Sequence, residues 1–377
     1  MTSSPAGADP AVVGPYLARA LSDDGWTDCS ITLIAGGKSN LTYRVDSAAG
    51  SAVLRRPPLG HVLPTAHDMV REHTVMSALA GTDVPVPRML HLCTDAEVLG
   101  QPFYVMERVE GHVCREALPA GYADEPAQRR AVGEGLVSVL AALHDVDPAE
   151  VGLGAFGRPE GYLERQVRRW VKQWDATRIA GHDALDALAA DLAADVPATQ
   201  RHTVVHGDYR LDNTILDPTT PGRIAAVLDW EMSTLGDPLA DVGILLGYWS
   251  QADDGGARTE ALVVPAATVL EGFPTRAEVA ERYAARTDAL VVPAATVLEG
   301  FPTRAQVAER YAARTGLDLT PLPWYAAFAA FKLAVVCAGI VARVRGGAMV
   351  GDGFDGIEHR IGPLVEIGRA TLADRAV

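Results

Sequence analysis

Alternating apolar and polar positions mark three strands near the start of the chain: Ser30 to Ala35 (SITLIA), Leu41 to Asp46 (LTYRVD) and Ala52 to Arg56 (AVLRR). Turns at Gly36-Gly37 and Ala49-Gly50-Ser51 separate them. A helix precedes them, because Asp9 is a capping residue, Pro10 suits a first-turn position and the pattern runs to about Ser22. After Pro57-Pro58 the spacing predicts a helix over 65–80, then two more strands, Arg88 to Thr94 and Pro102 to Val109. This order describes a small antiparallel sheet carrying one helix, an α+β lobe assigned to residues 9–110, with 1–8 as a frayed tail. Beyond Gly111 the period changes to 3.6. Pro126 to His144 aligns Val132, Leu136, Val139 and Leu143 on one face, and Gly161 to Thr177 aligns Leu163, Val167, Trp170 and Trp174. Residues 111–377 therefore form a larger, mainly helical lobe. Short strand-like runs (TVV, TIL, IAAVL) return only between Thr203 and Trp230, around the most polar segment of the chain.

Composition narrows the partners. The chain carries 48 acids against 33 bases, a net charge of −15, and so repels a phosphate backbone; nucleic acid is not expected as a partner. With 48% hydrophobic and 21% charged residues, disordered, collagenous and coiled-coil classes are excluded. Cys29, Cys93, Cys114 and Cys337 lie far apart and read as core thiols of a reducing cytoplasm. The leading MTSSPAGA lacks the basic and apolar regions of a signal peptide, which also points to a cytoplasmic protein. The one membrane candidate, Trp324 to Ala342, has Lys332 at mid-span and reads as a buried helix. Lysine is otherwise confined to Lys38 and Lys172, so chemistry that needs one has few places to look.

The polar segment reads HGDYRLDNTILDPTTPGRIAAVLD and places His206, Asp208, Asn213 and Asp229 around short strands. This set suits phosphoryl transfer, in which a protein mostly positions groups and offsets charge. Asn213 and Asp229 supply the hard oxygen ligands that Mg²⁺ requires. Asp208 is the expected base for an acceptor hydroxyl, and Arg210 the cation for the transferred group. His206 is expected to pack beneath the loop. Asp237 and Asp241 are expected to cap a helix and brace the loop.

In this order and spacing, H-G-D-x-x-x-x-N followed by L-D-W-E resembles the aminoglycoside phosphotransferase family of kinase-like enzymes, from about Val12 to Ala370. The segments GGKSNLTYRV, AVLRRPP, HDMVREH, VPVPRML, PFYVMERVEG and LDWEMSTLGDPLADVG are similar to the branch found fused to, or encoded alongside, acyl-CoA dehydrogenases. The resemblance implies a two-lobe, protein-kinase-like fold, ATP and Mg²⁺ as cofactors, and a small-molecule hydroxyl acceptor. A functional association with an acyl-CoA dehydrogenase is implied as well.

At the nucleotide end, Gly36-Gly37-Lys38-Ser39 closes a Walker A pattern, but Thr32 stands where that pattern needs Gly and a strand follows instead of a helix. Gly36, Gly37, Ser39 and Asn40 are instead expected to cover nucleotide phosphates as a kinase glycine-rich loop does. Arg55 occupies the place of the kinase third-strand lysine and is the inferred phosphate clamp. Glu72 is its expected partner, since Met69, Met76 and Leu79 put it within an apolar helical stripe. Tyr104 to Val109 is the expected hinge, with adenine against the backbone of Glu107 and Arg108.

Ala261 to Thr287 recurs as Ala289 to Thr315, differing only at Glu278 against Gln306. Two copies are too few for a solenoid, so one copy is expected to pack and the other, within 261–288 or 289–316, to form a surface excursion. The acceptor stays open among aminoglycosides, hydroxyacyl thioesters, sugars and amino alcohols. A nucleotide-binding regulator without turnover and a Mg²⁺-dependent hydrolase are the rival readings.

Overall fold

The computed structural model describes residues 5–35, 40–59, 67–114, 118–250, 295–346 and 356–374. Gly36, Gly37 and Ser39 of the glycine turn, and the first repeat copy, lie outside the described residues. The small lobe runs α1 (Pro10–Leu21), β1 (Cys29–Ala35), β2 (Leu41–Ser47), β3 (Gly50–Arg56), α2 (Met69–Leu79), β4 (Met89–Cys93), a short α3 (Ala96–Leu99) and β5 (Phe103–Glu107). Its five strands form one antiparallel sheet in the order β1-β2-β3-β5-β4. Local chemistry sets the helix starts. The Asp9 carboxylate accepts from the Ala11 N–H, and Asp68 accepts from the Arg71 N–H, so α2 begins at Met69 instead of the expected 65. Residues 5–8 are tied down where a frayed tail was expected: the Tyr43 hydroxyl donates to the Ala6 carbonyl at 2.6 Å, Arg56 donates to the Gly7 carbonyl, and Ala8 is fully buried.

Period-2 alternation decides which side chains of the sheet meet which helix. Ala52 and Leu54 of β3, with Phe103 and Val105 of β5, face α1 and form one core cluster. Val53, Tyr104 and Met106 face the other way and join α2 in the large core. Arg55, two residues after Val53, is thereby aimed at α2 and the gap between the lobes.

The large lobe comprises α4 (Pro126–Asp145), α5 (Tyr162–Ala176), α6 (Ala184–Ala194), β6 (Thr203–Val205), β7 (Thr214–Leu216), β8 (Ile224–Val227), β9 (Thr234–Gly236), α7 (Leu239–Gly247), α8 (Arg304–Thr315), α9 (Leu322–Arg345) and α10 (Ile361–Asp374). Two antiparallel ladders, β6 with β9 and β7 with β8, hold the ends of the polar segment. α9 is long and apolar enough to cross a membrane, yet 72% of its apolar window is buried, against α5, α6, α7 and α10.

The second repeat copy supplies α8. Its start carries the expected reciprocal cap between Thr303 and Gln306. The Trp249 indole donates to the Pro302 carbonyl at 2.8 Å, and Arg304 donates to the Trp249 carbonyl at 2.9 Å. Gly133 of α4 lets Pro302 approach where any Cβ would collide. The helix ends on Gly316 at φ +68°, a left-handed position for which the first copy offers Asp288. Because these contacts come from the second copy, deleting residues 261–288 is expected to lower the melting temperature by less than about ten degrees, loop length contributing little. A larger drop in a thermal melt would show that the first copy carries packing of its own.

Candidate active site

The loop between β6 and β7 is held by a carboxylate from below. Asp241 of α7 is fully buried and accepts the N–H groups of His206 at 2.6 Å and Gly207 at 2.7 Å. Burial alone would raise its pKa, but the interaction with His144 and the hydrogen bond from the His206 N–H together hold it below the usual carboxylate range. His144 Nε2 lies 3.2 Å from Asp241, and its Nδ1 lies 2.6 Å from the Tyr311 hydroxyl of α8. Asp237 caps α7 through the Leu239 N–H and receives the Tyr325 hydroxyl. Both aspartates thus do the structural work expected of them.

His206 also lies beneath the loop. Its Nδ1 accepts the Asp208 N–H, and its Nε2 donates to the Leu228 carbonyl at 2.8 Å, so both ring nitrogens are committed. Gly207 has φ +84°, and a Cβ there would stand 2.7 Å from the Met232 carbonyl, so only glycine fits between His206 and Asp208.

Asp208 is fixed by one oxygen. Its Oδ2 receives Arg210 Nε at 3.2 Å and Asn213 Nδ2 at 3.0 Å, which leaves Oδ1 as the oxygen to meet an acceptor. Asn213 also donates to the Asp208 carbonyl, so its amide hydrogens are spent and its carbonyl oxygen is the group offered as a ligand. Arg210 is more heavily engaged than its expected role required. It bridges Asp208 and Asp212 and lies 4.7 Å above the Tyr248 ring.

Asp229 follows β8 in a left-handed conformation, φ +65°, and its Oδ1 meets Arg55 at 2.5 Å. Arg55 also lies 3.2 Å from Glu72 of α2, the partner expected for it. Burial would weaken the guanidinium's hold on its proton, but Tyr104, Glu72, Asp229 and Glu231 push its pKa well above the ordinary value. Glu72 is fully buried and further receives Asn40 at 2.7 Å and the Tyr104 hydroxyl at 3.0 Å. Asn40 reaches Glu231 as well, at 3.3 Å. Asn40, Arg55, Glu72 and Asp229 are therefore one network joining the lobes. Among the described residues no cluster of three or more His, Cys, Asp or Glu could hold a metal, so Asn213 and Asp229 would need phosphates and water to complete an octahedron.

At the hinge, the Glu107 N–H donates to the Arg88 carbonyl and its carboxylate accepts the Arg88 N–H, while Arg108 pairs with Glu110. Within the backbone expected to face adenine, the Glu107 N–H is thus paired with the residue that precedes β4.

On the other side of Asp208 lies a cavity of about 310 Å³ between α5, α7, α9 and α10. Trp170, Ile244, Ala330, Leu333, Val336 and Leu364 line it, with Asp208, Arg210, Glu231 and Lys332 at its polar end. Lys332 donates to the Gly207 carbonyl at 2.7 Å, and its Nζ lies 5.5 Å from the centre of the Trp170 ring. The sequence marks Lys332 as one of three lysines and as an argument against a membrane span, without placing it at the site. Its signal was a single cation inside an uninterrupted apolar helix.

Residues 30–282 match the phosphotransferase enzyme family, the match ending inside the first repeat copy. Acyl-CoA dehydrogenase family member 10 of Mus musculus is 43% identical over 206 residues, 55% of this chain and 19% of that protein. The chain spans under a third of the length of the first such relatives it matches. A Ralstonia eutropha protein assigned as an aminoglycoside phosphotransferase is similar over 97% of this chain and 98% of its own, with a TM-score of 0.74 and 32% identity. An aminoglycoside phosphotransferase crystallised with ADP and hygromycin B shares the fold, at a TM-score of 0.56 and 16% identity over 95% of this chain and 98% of its own.

The crowding of carboxylates around Arg55 has a measurable consequence. Burial pushes Glu72 up from 4.5 to about 7; Arg55 opposes the rise, and Asp229 adds to it. A carboxyl raised in the folded chain contributes stability that is complete below 4.5 and is lost as pH rises to about 7. Denaturation curves between those limits should show the wild type losing stability relative to Glu72→Gln, by up to roughly 1.4 kcal/mol per pH unit. Parallel curves would refute the shift.

Proposed function

The chain belongs to the phosphotransferase enzyme family, and on that premise we propose that it moves the γ-phosphate of ATP to a hydroxyl of a small molecule, with Asp208 as base. The observation that carries this reading is the placement of Asp208 between two unlike surroundings: Asn213 and the Arg55 network on one side, an apolar cavity on the other. Asp208 Oδ1 accepts the acceptor's hydroxyl hydrogen and orients its oxygen for attack. As the new oxygen–phosphorus bond forms, the bond from the γ-phosphorus to the β,γ-bridging oxygen breaks, the proton passes to Asp208 and ADP leaves. Arg55, held by Glu72 against α2, grips the α- and β-phosphates. Asn213 and Asp229 would hold Mg²⁺, whose contribution is to offset phosphate charge.

The cavity supports a choice of acceptor. A polycationic aminoglycoside calls for several carboxylates, whereas among the described lining residues only Asp208 and Glu231 carry one. Its apolar walls and modest volume suit a hydroxyl borne on an aliphatic body, such as a hydroxyacyl thioester. The names of the relatives, acyl-CoA dehydrogenase family members, are in keeping with this choice, and we propose with it a functional association with such a dehydrogenase.

The test is incubation of the full chain with γ-labelled ATP, Mg²⁺ and a panel of hydroxyacyl thioesters, sugars, amino alcohols and aminoglycosides. Label should pass to the thioesters, and Asp208→Asn should lower kcat by a factor of about 10² to 10⁴. Phosphate release without an acceptor would favour a hydrolase. Tight nucleotide binding without turnover would favour a regulator.

A further inference from the structure

We propose that Lys332 is a positioning residue for this transfer, fixing the Gly207–Asp208 peptide from the acceptor side so that the Asp208 carboxylate stays aimed. The inference rests on the phosphotransferase reading of Asp208. Between Leu322 and Ala342, α9 carries no other charged residue. An ammonium on such a wall loses hydration, and burial lowers the pKa of Lys332 against the opposing pull of Asp208 and Asp241. Among the described residues no carboxylate lies within 4.0 Å of its Nζ. The cation is therefore not there to close a salt bridge. Its one hydrogen bond in the described structure goes to the Gly207 carbonyl, and Trp170 offers its ring beside it.

That carbonyl belongs to the peptide whose N–H is the Asp208 amide. The N–H end is taken by His206 Nδ1 and the C=O end by Lys332. The peptide plane is pinned at both ends, and the residue before it is already clamped by Asp241. A plane fixed in this way sets the direction of the Asp208 Cα–Cβ bond. Without the ammonium, the carbonyl at the cavity wall loses a charge-assisted partner, and a glycine at φ +84° presents little barrier to rotation of that peptide. A displacement of about 1 Å at a base is enough to lower a rate by about a hundredfold.

The experiment compares wild type, Lys332→Met, Lys332→Arg, Asp208→Asn and the Asp208→Asn/Lys332→Met double variant. Each is measured for kcat and KM with MgATP and 3-hydroxybutyryl-CoA, for affinity toward the fluorescent analogue mant-ATP, and for amide hydrogen exchange over residues 205–210. Lys332→Met is expected to lower kcat by at least about tenfold while KM for ATP and mant-ATP affinity stay within about twofold. Exchange at Gly207 and Asp208 should quicken, and Lys332→Arg should recover kcat to within about threefold of wild type. In the Asp208→Asn background the same substitution should add less than about twofold, because Lys332 acts through Asp208. An unchanged kcat, or an equal loss in both backgrounds, overturns the assignment. If wild type binds mant-ATP but does not phosphorylate 3-hydroxybutyryl-CoA, the acceptor choice fails; if it does not bind mant-ATP, the kinase reading fails. In either case the exchange data decide, and unchanged protection at Gly207 and Asp208 overturns the role of Lys332. Should Lys332→Met not fold, Lys332→Gln carries the same measurements.

Discussion

A fully buried carboxylate taking two consecutive backbone N–H groups, as Asp241 does from His206 and Gly207, constrains a loop more than any side-chain contact on its surface. The same carboxylate meets His144, and His144 meets Tyr311, so a line of three buried polar groups runs from α8 through α4 to the loop. Each member is paired, which is what makes burying them tolerable. The loop in turn carries Asp208 and Asn213, whose mutual bonds set the direction of both. Aim at the site is thus inherited from the interior of the helical lobe.

The two sides of Asp208 obey opposite electrostatics. Toward the small lobe, Glu72, Asp229 and Glu231 crowd around Arg55, an excess of negative charge that suits the binding of a cation. Toward α9 and α10 the walls are apolar, and the two cations at the cavity's polar end, Arg210 and Lys332, are tied to the loop itself. Bonds made against such walls are stronger than they would be at a fully solvated surface. A reaction that moves a charged group across Asp208 onto a less polar acceptor fits that asymmetry.

Much of this was legible in the amino-acid order. Alternation located the strands, and Asp9 and Thr303 marked helix starts that the structure places where capping chemistry demands. The pairing of Arg55 with Glu72 followed from the likeness of Arg55 to the kinase third-strand lysine, together with the apolar helical stripe that holds Glu72. Residues 5–8 were misread as a tail, because nothing local announces that Tyr43 and Arg56 will capture their carbonyls. The two bonds between Glu107 and Arg88 were not legible either, since they depend on strand pairing.

What the sequence by itself determined is what depends on near neighbours along the chain: the α+β order of elements, the caps, and the H-G-D-x-x-x-x-N spacing that puts an amide five residues after a carboxylate. Only the tertiary structure decided what depends on distant segments meeting. It set the left-handed Asp229 against Arg55 and brought Lys332 of α9 to the Gly207 carbonyl, 125 residues away in sequence. It also seated the second of two nearly identical segments against Trp249 and His144. Periodicity and capping act over one or two turns, whereas the selection of one packing partner over an equivalent copy is made by the shape and hydrogen bonds of the core that receives it.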